Sequence, residues 1–233
     1  MRLTALLGSV LLLLVGCATG GGVAADRGEI AKLGAPQPAD VRAITYTPAP
    51  FVLASAGKIA TGALFGIVGS AVAANSMQSA GEQMIATLGV ADPAVVVRER
   101  LAAAMTTNFG LHPTADTAPT SDAAADLKSR FGAGGAVLDT RTMGWQLIYY
   151  PADWSHFYLI YGGRARLMRL SDGKVLWEDR CMRKFPEEKP NRHTADDYRA
   201  NNGELLKQRT QEAASGCADE MIARLEGRPT AAK

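Results

Sequence analysis

Few side chains in this sequence could attack a bond, relay a proton or hold a metal: three histidines, three cysteines and scattered carboxylates. His112, His156 and His193 each stand alone in loop-like or strand-edge settings, and no HExxH, CxxC or GxSxG run occurs. Asp153-Trp154-Ser155-His156-Phe157 does gather an acid, a hydroxyl and an imidazole, the set that a nucleophilic hydrolase uses. A proton relay needs those groups to converge from separate elements, which neighbours in one turn do not supply. Phe131-Gly132-Ala133-Gly134-Gly135-Ala136-Val137 is glycine-rich, but no Walker lysine follows. It also leads from a helix into a strand, whereas phosphate cradles lead from a strand into a helix N-terminus, so it reads as a helix stop and tight turn. The sequence therefore predicts no enzyme, no cofactor and no metal. What remains is the chemistry of three thiols, Cys17, Cys181 and Cys217.

Cys17 lies behind a leader. Arg2 is the only charge before Asp26, and Leu3 to Leu14 is apolar, the n- and h-regions of a secretory signal. A membrane span needs about 20 apolar residues, and this stretch gives way to glycine sooner. Leu14-Val15-Gly16-Cys17 resembles the lipobox of bacterial lipoproteins. The resemblance implies removal of residues 1–16, a diacylglycerol thioether on Cys17 and an acylated amine. Buried acyl chains contribute about 0.8 kcal/mol per methylene, so several chains anchor permanently. Ala18 stands where the inner-membrane retention signal would place Asp, which implies the periplasmic face of an outer membrane. The alternative is an ordinary signal cut after Ala24 or Ala25, with Cys17 discarded.

Loss of residues 1–16 removes Arg2 and lowers the formal charge from +2 to +1. Such a chain has one domain's length and no electrostatic case for binding nucleic acid. With Cys17 lipidated, two cysteines remain in an oxidising compartment, and Cys181–Cys217 is the expected disulfide. Two buried thiols are the alternative.

The elements that must place these residues follow from periodicity. Residues 17–40 are small, Gly-rich and Pro-punctuated and read as a flexible tether; 41–228 form the domain, and 229–233 a disordered tail. Val41 to Leu53 is a strand interrupted by Pro48 and Pro50 or lying at an edge. Residues 57–89 are a Gly/Ala-rich helical insertion, uncharged between Lys58 and Asn75, in which Gly62, Gly66, Gly69 and Ala73 give a smooth stripe suited to close helix packing. Each interior glycine there costs about 1 kcal/mol against alanine. Asp92-Pro93 opens a second helix with Val97, Leu101, Ala104 and Met105 on one face and Gly110 at its end. "LHPTAD" allows a short strand, and Ser121 caps a short helix carrying Leu127 and Phe131. Three strands follow, "AVLDTRTMGWQLIYY", "HFYLIYGGRARLMRL" and "KVLWEDRCMRKF", the last two joined by a Ser171-Asp172-Gly173 turn. That turn predicts Leu170 opposite Lys174, Met168 opposite Leu176, Leu167 opposite Trp177 and Arg166 opposite Glu178. Thr194 and Asp197 form a capping box for a final helix that Asn202-Gly203 breaks. Leu206, Thr210, Ala213, Cys217, Met221 and Leu225 share its inward stripe, and Cys181 shares the inward strand face with Val175 and Trp177. Two periodicities thus aim both cysteines at one interior.

The resulting class is α/β (α+β), a mixed, mainly antiparallel sheet of three to five strands flanked by helices. Its layout over residues 41–226 resembles the domain shared by the TolB N-terminal region, the curli-secretion lipoproteins and the lipoprotein activators of penicillin-binding proteins. Arg164, Arg166, Arg180 and Arg183 mark either a solvated, partly paired sheet face or a docking surface for anionic peptidoglycan, lipid headgroups or an acidic protein. Together these features predict a lipid-anchored, non-enzymatic envelope protein whose partners are the membrane, through its lipid, and another envelope protein. The alternative is a homo-oligomeric, membrane-inserting or pore-forming secretion lipoprotein that uses the Gly-rich helix.

Overall fold

The computed structural model describes residues 22–57 and 66–230, with only the backbone of 66–69; Cys17 and Gly62 lie outside it. The elements run α1 (Arg27–Gly34), β1 (Val41–Thr45), β2 (Phe51–Ala54), α2 (Gly66–Leu88), α3 (Pro93–Phe109), β3 (Thr114–Thr117), α4 (Ala124–Phe131), β4 (Ala136–Tyr150), β5 (Asp153–Arg169), β6 (Val175–Lys184), β7 (His193–Thr194) and α5 (Ala195–Leu225). The strands form one mixed sheet in the order β3-β1-β4-β5-β6, with β2 also against β4 and β7 against β5. β1 runs parallel to β3 and β4, as does β2 to β4; the long β4-β5-β6 meander is antiparallel.

Seven strands replace the expected three to five because two positions in the sheet are split. Pro48 and Pro50 separate β1 from β2, since neither can donate to the ladder. Ala49 bridges the gap by donating its N–H to the Thr142 carbonyl at 3.1 Å and accepting the Trp145 indole N–H at 2.7 Å. Pro186 and Pro190 lie in the corresponding break between β6 and β7.

One sheet face carries the main core. Val41, Leu138, Trp145, Leu159, Leu167 and Trp177 pack there against α3 (Val97, Leu101, Met105) and α5 (Leu206, Ala213, Met221), all buried. α3 starts as its sequence requires, with Asp92 accepting from the Ala94 N–H at 3.0 Å and Pro93 in the first turn, and ends on Gly110 in the left-handed conformation. The Thr194–Asp197 capping box is present. Four non-helical residues, Ala200 to Gly203, interrupt α5, with Asn201, Asn202 and Gly203 at positive φ. The C-terminal part of α2 seats against β2 so closely that a Cβ on Gly81 would overlap the Phe51 carbonyl. Cys181 on β6 and Cys217 on α5 form a disulfide across this core, with Cα atoms 5.6 Å apart.

Three expectations are corrected. The tether expected through residue 40 is structured from Gly22: Val23 pairs with Glu178 on the β6 edge, and α1 inserts a fully buried Ile30 into the core. Its eight residues are too few and too polar to announce a helix by periodicity. The β5–β6 turn closes at Arg169–Lys174, leaving Leu170 inside the loop and buried; a bulge at Leu176 then opposes Met168 to Val175, while Arg166–Glu178 and Leu167–Trp177 pair as expected. Ser121 accepts the Ala123 N–H at 3.1 Å and so stiffens the approach to α4, whose N-cap residue is Ala123.

Ion pairs tie α1 to that turn: Lys174 to Asp26 at 2.9 Å, and Arg169 to both Glu29 (2.5 Å) and Asp172 (2.6 Å). Lys174 holds the Asp26 carboxyl below its ordinary value, Lys32 and Arg169 do so for Glu29, and Arg169 does so for Asp172. Carboxylates lowered in the folded state stabilise it above their unfolded pKa and lose that contribution as pH falls through the folded one. Protection of the α1 amides against hydrogen exchange should therefore fall on going from about pH 6 to about pH 3, before that of β4 and β5.

Candidate docking surface on the open face of the sheet

The second face of the sheet is banded, and the strand register defines the bands. At one end α4 covers it: Leu127 packs on Ile44, Tyr46, Val137, Met168 and Leu170 in a small separate core. Next come two charged rows across β4, β5 and β6, Asp139–Arg166–Glu178 and Arg141–Arg164–Arg180. Beyond them lie Gly144–Gly162–Met182, then Gln146–Ile160–Lys184 with Val52 beside Gln146, then Ile148–Tyr158.

The charged rows neutralise themselves. Asp139, fully buried, takes Arg164 on one oxygen at 2.8 Å and Arg166 on the other at 2.6 Å. Asp122, on the loop before α4, pairs with Arg164 at 2.9 Å, and its backbone carbonyl accepts from Arg166 at 2.8 Å. Burial pushes the Asp139 carboxyl above its ordinary value against the pull of Arg166 and Arg164. Asp122 goes the other way: burial would raise it, but Arg164 holds it down. Arg141 stacks over the Tyr46 ring, 4.4 Å from its centroid.

The four arginines singled out from sequence therefore do not form one free cationic surface. Arg164 and Arg166 are internal, and Arg180 is 53% exposed but paired with Glu178 at 3.1 Å. Alternation puts Arg183 on the opposite face, where it meets Glu220 at 2.8 Å and the Gly216 carbonyl of α5 at 2.5 Å. In the Asp153–His156 run, Ser155 Oγ (3.2 Å) and Asp153 Oδ1 (2.6 Å) both approach the same imidazole nitrogen, Nδ1. A relay needs acid and nucleophile on opposite ring nitrogens. Asp153 also pairs with Arg192, which covers the Tyr150 ring at 3.8 Å, so the cluster clamps β7 to the β4–β5 turn. Among the described residues no set of His, Cys, Asp and Glu is grouped to hold a metal. Gly66, Gly69 and Ala73 fall on α2, and residues around them are exposed, Val72 by 64%.

The rows beyond the arginines are different in kind. Among the described residues no helix is seated over them. Met143, the extra residue of a β4 bulge, is 49% exposed and Met182 62%, while Val52, Ile148, Tyr158 and Ile160 are half-buried. Ala49, Pro50, Val52, Met143, Gly144, Gln146, Ile160, Gly162 and Met182 outline a shallow groove of about 430 Å³ whose floor is the Gly144–Gly162 pair. Neither glycine has a left-handed backbone. A Cβ on Gly144 would meet nothing within 4 Å, and one on Gly162 only ordinary contacts at 3.7 and 3.8 Å. Glycine inside a strand weakens it and marks a bulge or a close approach by another body. The bulge accounts for one side of the pair; the hollow itself fills no need of the described chain. Sequence reasoning missed this surface, and its available signal was glycine at 144 and 162 inside otherwise well-formed strands.

No family model matches the chain, and no curated protein does. Solved structures with partial likeness include a PelC dodecamer from Paraburkholderia phytofirmans (12% identity, 58% of this chain and 76% of that one, TM-score 0.29) and a variant of the same PelC (14%, 51% and 71%, TM-score 0.27). Lipoprotein GNA1162 from Neisseria meningitidis is similar over 65% of this chain and 88% of its own at 19% identity, with a TM-score of 0.25. Overlaps at these scores do not establish a shared fold.

Proposed function

We propose that the chain is a lipid-anchored, non-enzymatic binding component of the cell envelope, tethered through Cys17 to the periplasmic face of an outer membrane, with the open sheet rows as its working surface. The Leu14-Val15-Gly16-Cys17 run supports the anchor, and the Cys181–Cys217 pair suits an oxidising compartment. The observation that carries the binding role is the apolar band with its glycine hollow, which no described helix covers, beside charged rows in which Arg164 and Arg166 are committed to the buried Asp139. Contiguous exposed apolar surface on an otherwise polar domain marks an interaction site.

A second reading, oligomeric insertion through α2, is favoured by one observation: residues 59–81 carry no charge, and 70–72 and 74–76 are exposed. Among the described residues no helix is long and apolar enough to cross a membrane. Fractionation separates the two. A Cys17→Ser variant exported by an ordinary cleavable signal should be recovered in the soluble periplasm, while the native chain stays in the membrane. Retention of the variant after alkaline extraction would favour insertion through α2.

A further inference from the structure

We propose that the open rows of the sheet lie against the phospholipid headgroup layer of the membrane to which the chain is tethered. This rests on the anchoring reading above and follows from the direction in which the first described residues run. Val23 pairs antiparallel with Glu178, and the Asp26 N–H donates to the Leu176 carbonyl, so residues 23–26 run along the free edge of β6 toward its start. Traced backwards, that direction aims at Met182 and Lys184. Cys17 is six residues before Val23, a reach of at most about 20 Å. Met182 lies four residues along β6 from Glu178, about 13 Å. An anchor at Cys17 therefore holds the β6 edge, and the open rows beside it, within a short distance of the bilayer.

Two surfaces meet at that edge, and polarity separates them. The helix side is lined by ion pairs, Asp219 on α5 with Arg100 at 2.6 Å and Glu220 with Arg183 at 2.8 Å. The open rows, from Val52 and Met143 to Ile160 and Met182, contain no Asp or Glu and one exposed lysine, Lys184, while the arginines bordering them are already held, Arg141 by Asp122 (3.7 Å) and Arg180 by Glu178 (3.1 Å). An apolar band free of carboxylates, with an exposed lysine on its edge strand, suits an interface of acyl-chain tops and anionic headgroups. By itself such contact is weak and reversible, and it becomes persistent when a lipid anchor supplies the second attachment.

The test uses residues 17–233 with Cys17→Ser and an N-terminal oligohistidine tag held by a nickel-chelating lipid, so orientation is measured independently of acylation in cells. Vesicles contain phosphatidylethanolamine and phosphatidylglycerol. An environment-sensitive fluorophore is placed on Met182→Cys or, as a control, on Ser171→Cys in the β5–β6 turn, with the disulfide kept oxidised. The Met182 probe should shift to the blue on vesicle binding and lose most of its emission when the lipids carry nitroxide groups, whereas the Ser171 probe stays aqueous. Aqueous emission from both probes on vesicle-bound protein would overturn the proposal. So would a blue shift at Met182 that nitroxide lipids do not quench, which would assign the surface to a second copy or another protein. Absence of acyl groups on Cys17 in the native protein, read by mass spectrometry, would instead remove the anchoring reading and leave the orientation result standing.

Discussion

Asp139→Ala is expected to lower the unfolding free energy by about 3–5 kcal/mol, the usual cost of stranding buried charge by removing one partner. Its carboxylate is wholly inaccessible, and the two guanidiniums it joins have side chains only 10% and 11% exposed. Arg164 would keep Asp122, but its Nε already lacks a partner, and Arg166 would keep only a carbonyl. Urea unfolding followed by far-UV circular dichroism measures the loss. The companion variant separates charge from volume: Asp139→Leu with Arg164→Met and Arg166→Met removes all three charges. It should recover most of the stability, because well-packed apolar replacements of buried ion networks are commonly neutral or better. If the triple variant were as unstable as Asp139→Ala, packing rather than stranded charge would be the cause.

The second large effect is expected at the disulfide. Its cysteines are 36 residues apart, for which chain entropy gives about 4 kcal/mol, within a usual range of about 2–5. The closed loop contains the β6–β7 crossing, β7 and α5 up to Cys217, including the interruption at Ala200 to Gly203. Cys181→Ala with Cys217→Ala should lower the unfolding midpoint in urea and raise its slope, because the denatured chain without the cross-link exposes more surface. Reduction of the native chain should produce a comparable loss. An unchanged midpoint would mean that the α5–β6 packing alone holds the C-terminal region.

Local signals reveal much of this architecture. Asp92-Pro93, Gly110 and the Thr194–Asp197 box act within a few residues of themselves, and each sets its helix boundary in the structure. The α5 stripe from Leu206 to Leu225 is legible because helical period and burial agree. Other features depend on partners distant in sequence. Alternation alone separates Arg183 from Arg164, Arg166 and Arg180, yet only the β4–β5 register brings Asp139 between two of them. α1 depends on Asp26 and Glu29 meeting a turn about 140 residues later, and on one isoleucine buried in the core. The open apolar rows exist because α4, far from them in sequence, covers only one end of that face.

The place of β1 has a consequence for when this chain can fold. Val41–Thr45 pairs with β3 on one side and β4 on the other, both in parallel, and these partners begin at Thr114 and Ala136. β4 in turn needs β5, which ends at Arg169, and the Cys217 end of α5 comes later still. Pairings of such sequence separation form slowly, because a long loop must close before they give any return. A chain threading through a narrow translocation pore from its N-terminus would therefore present its first strand long before any lateral partner had emerged. In such a passage the order of the sheet would defer collapse until most of the polypeptide had crossed, leaving the passing segment loose enough to move.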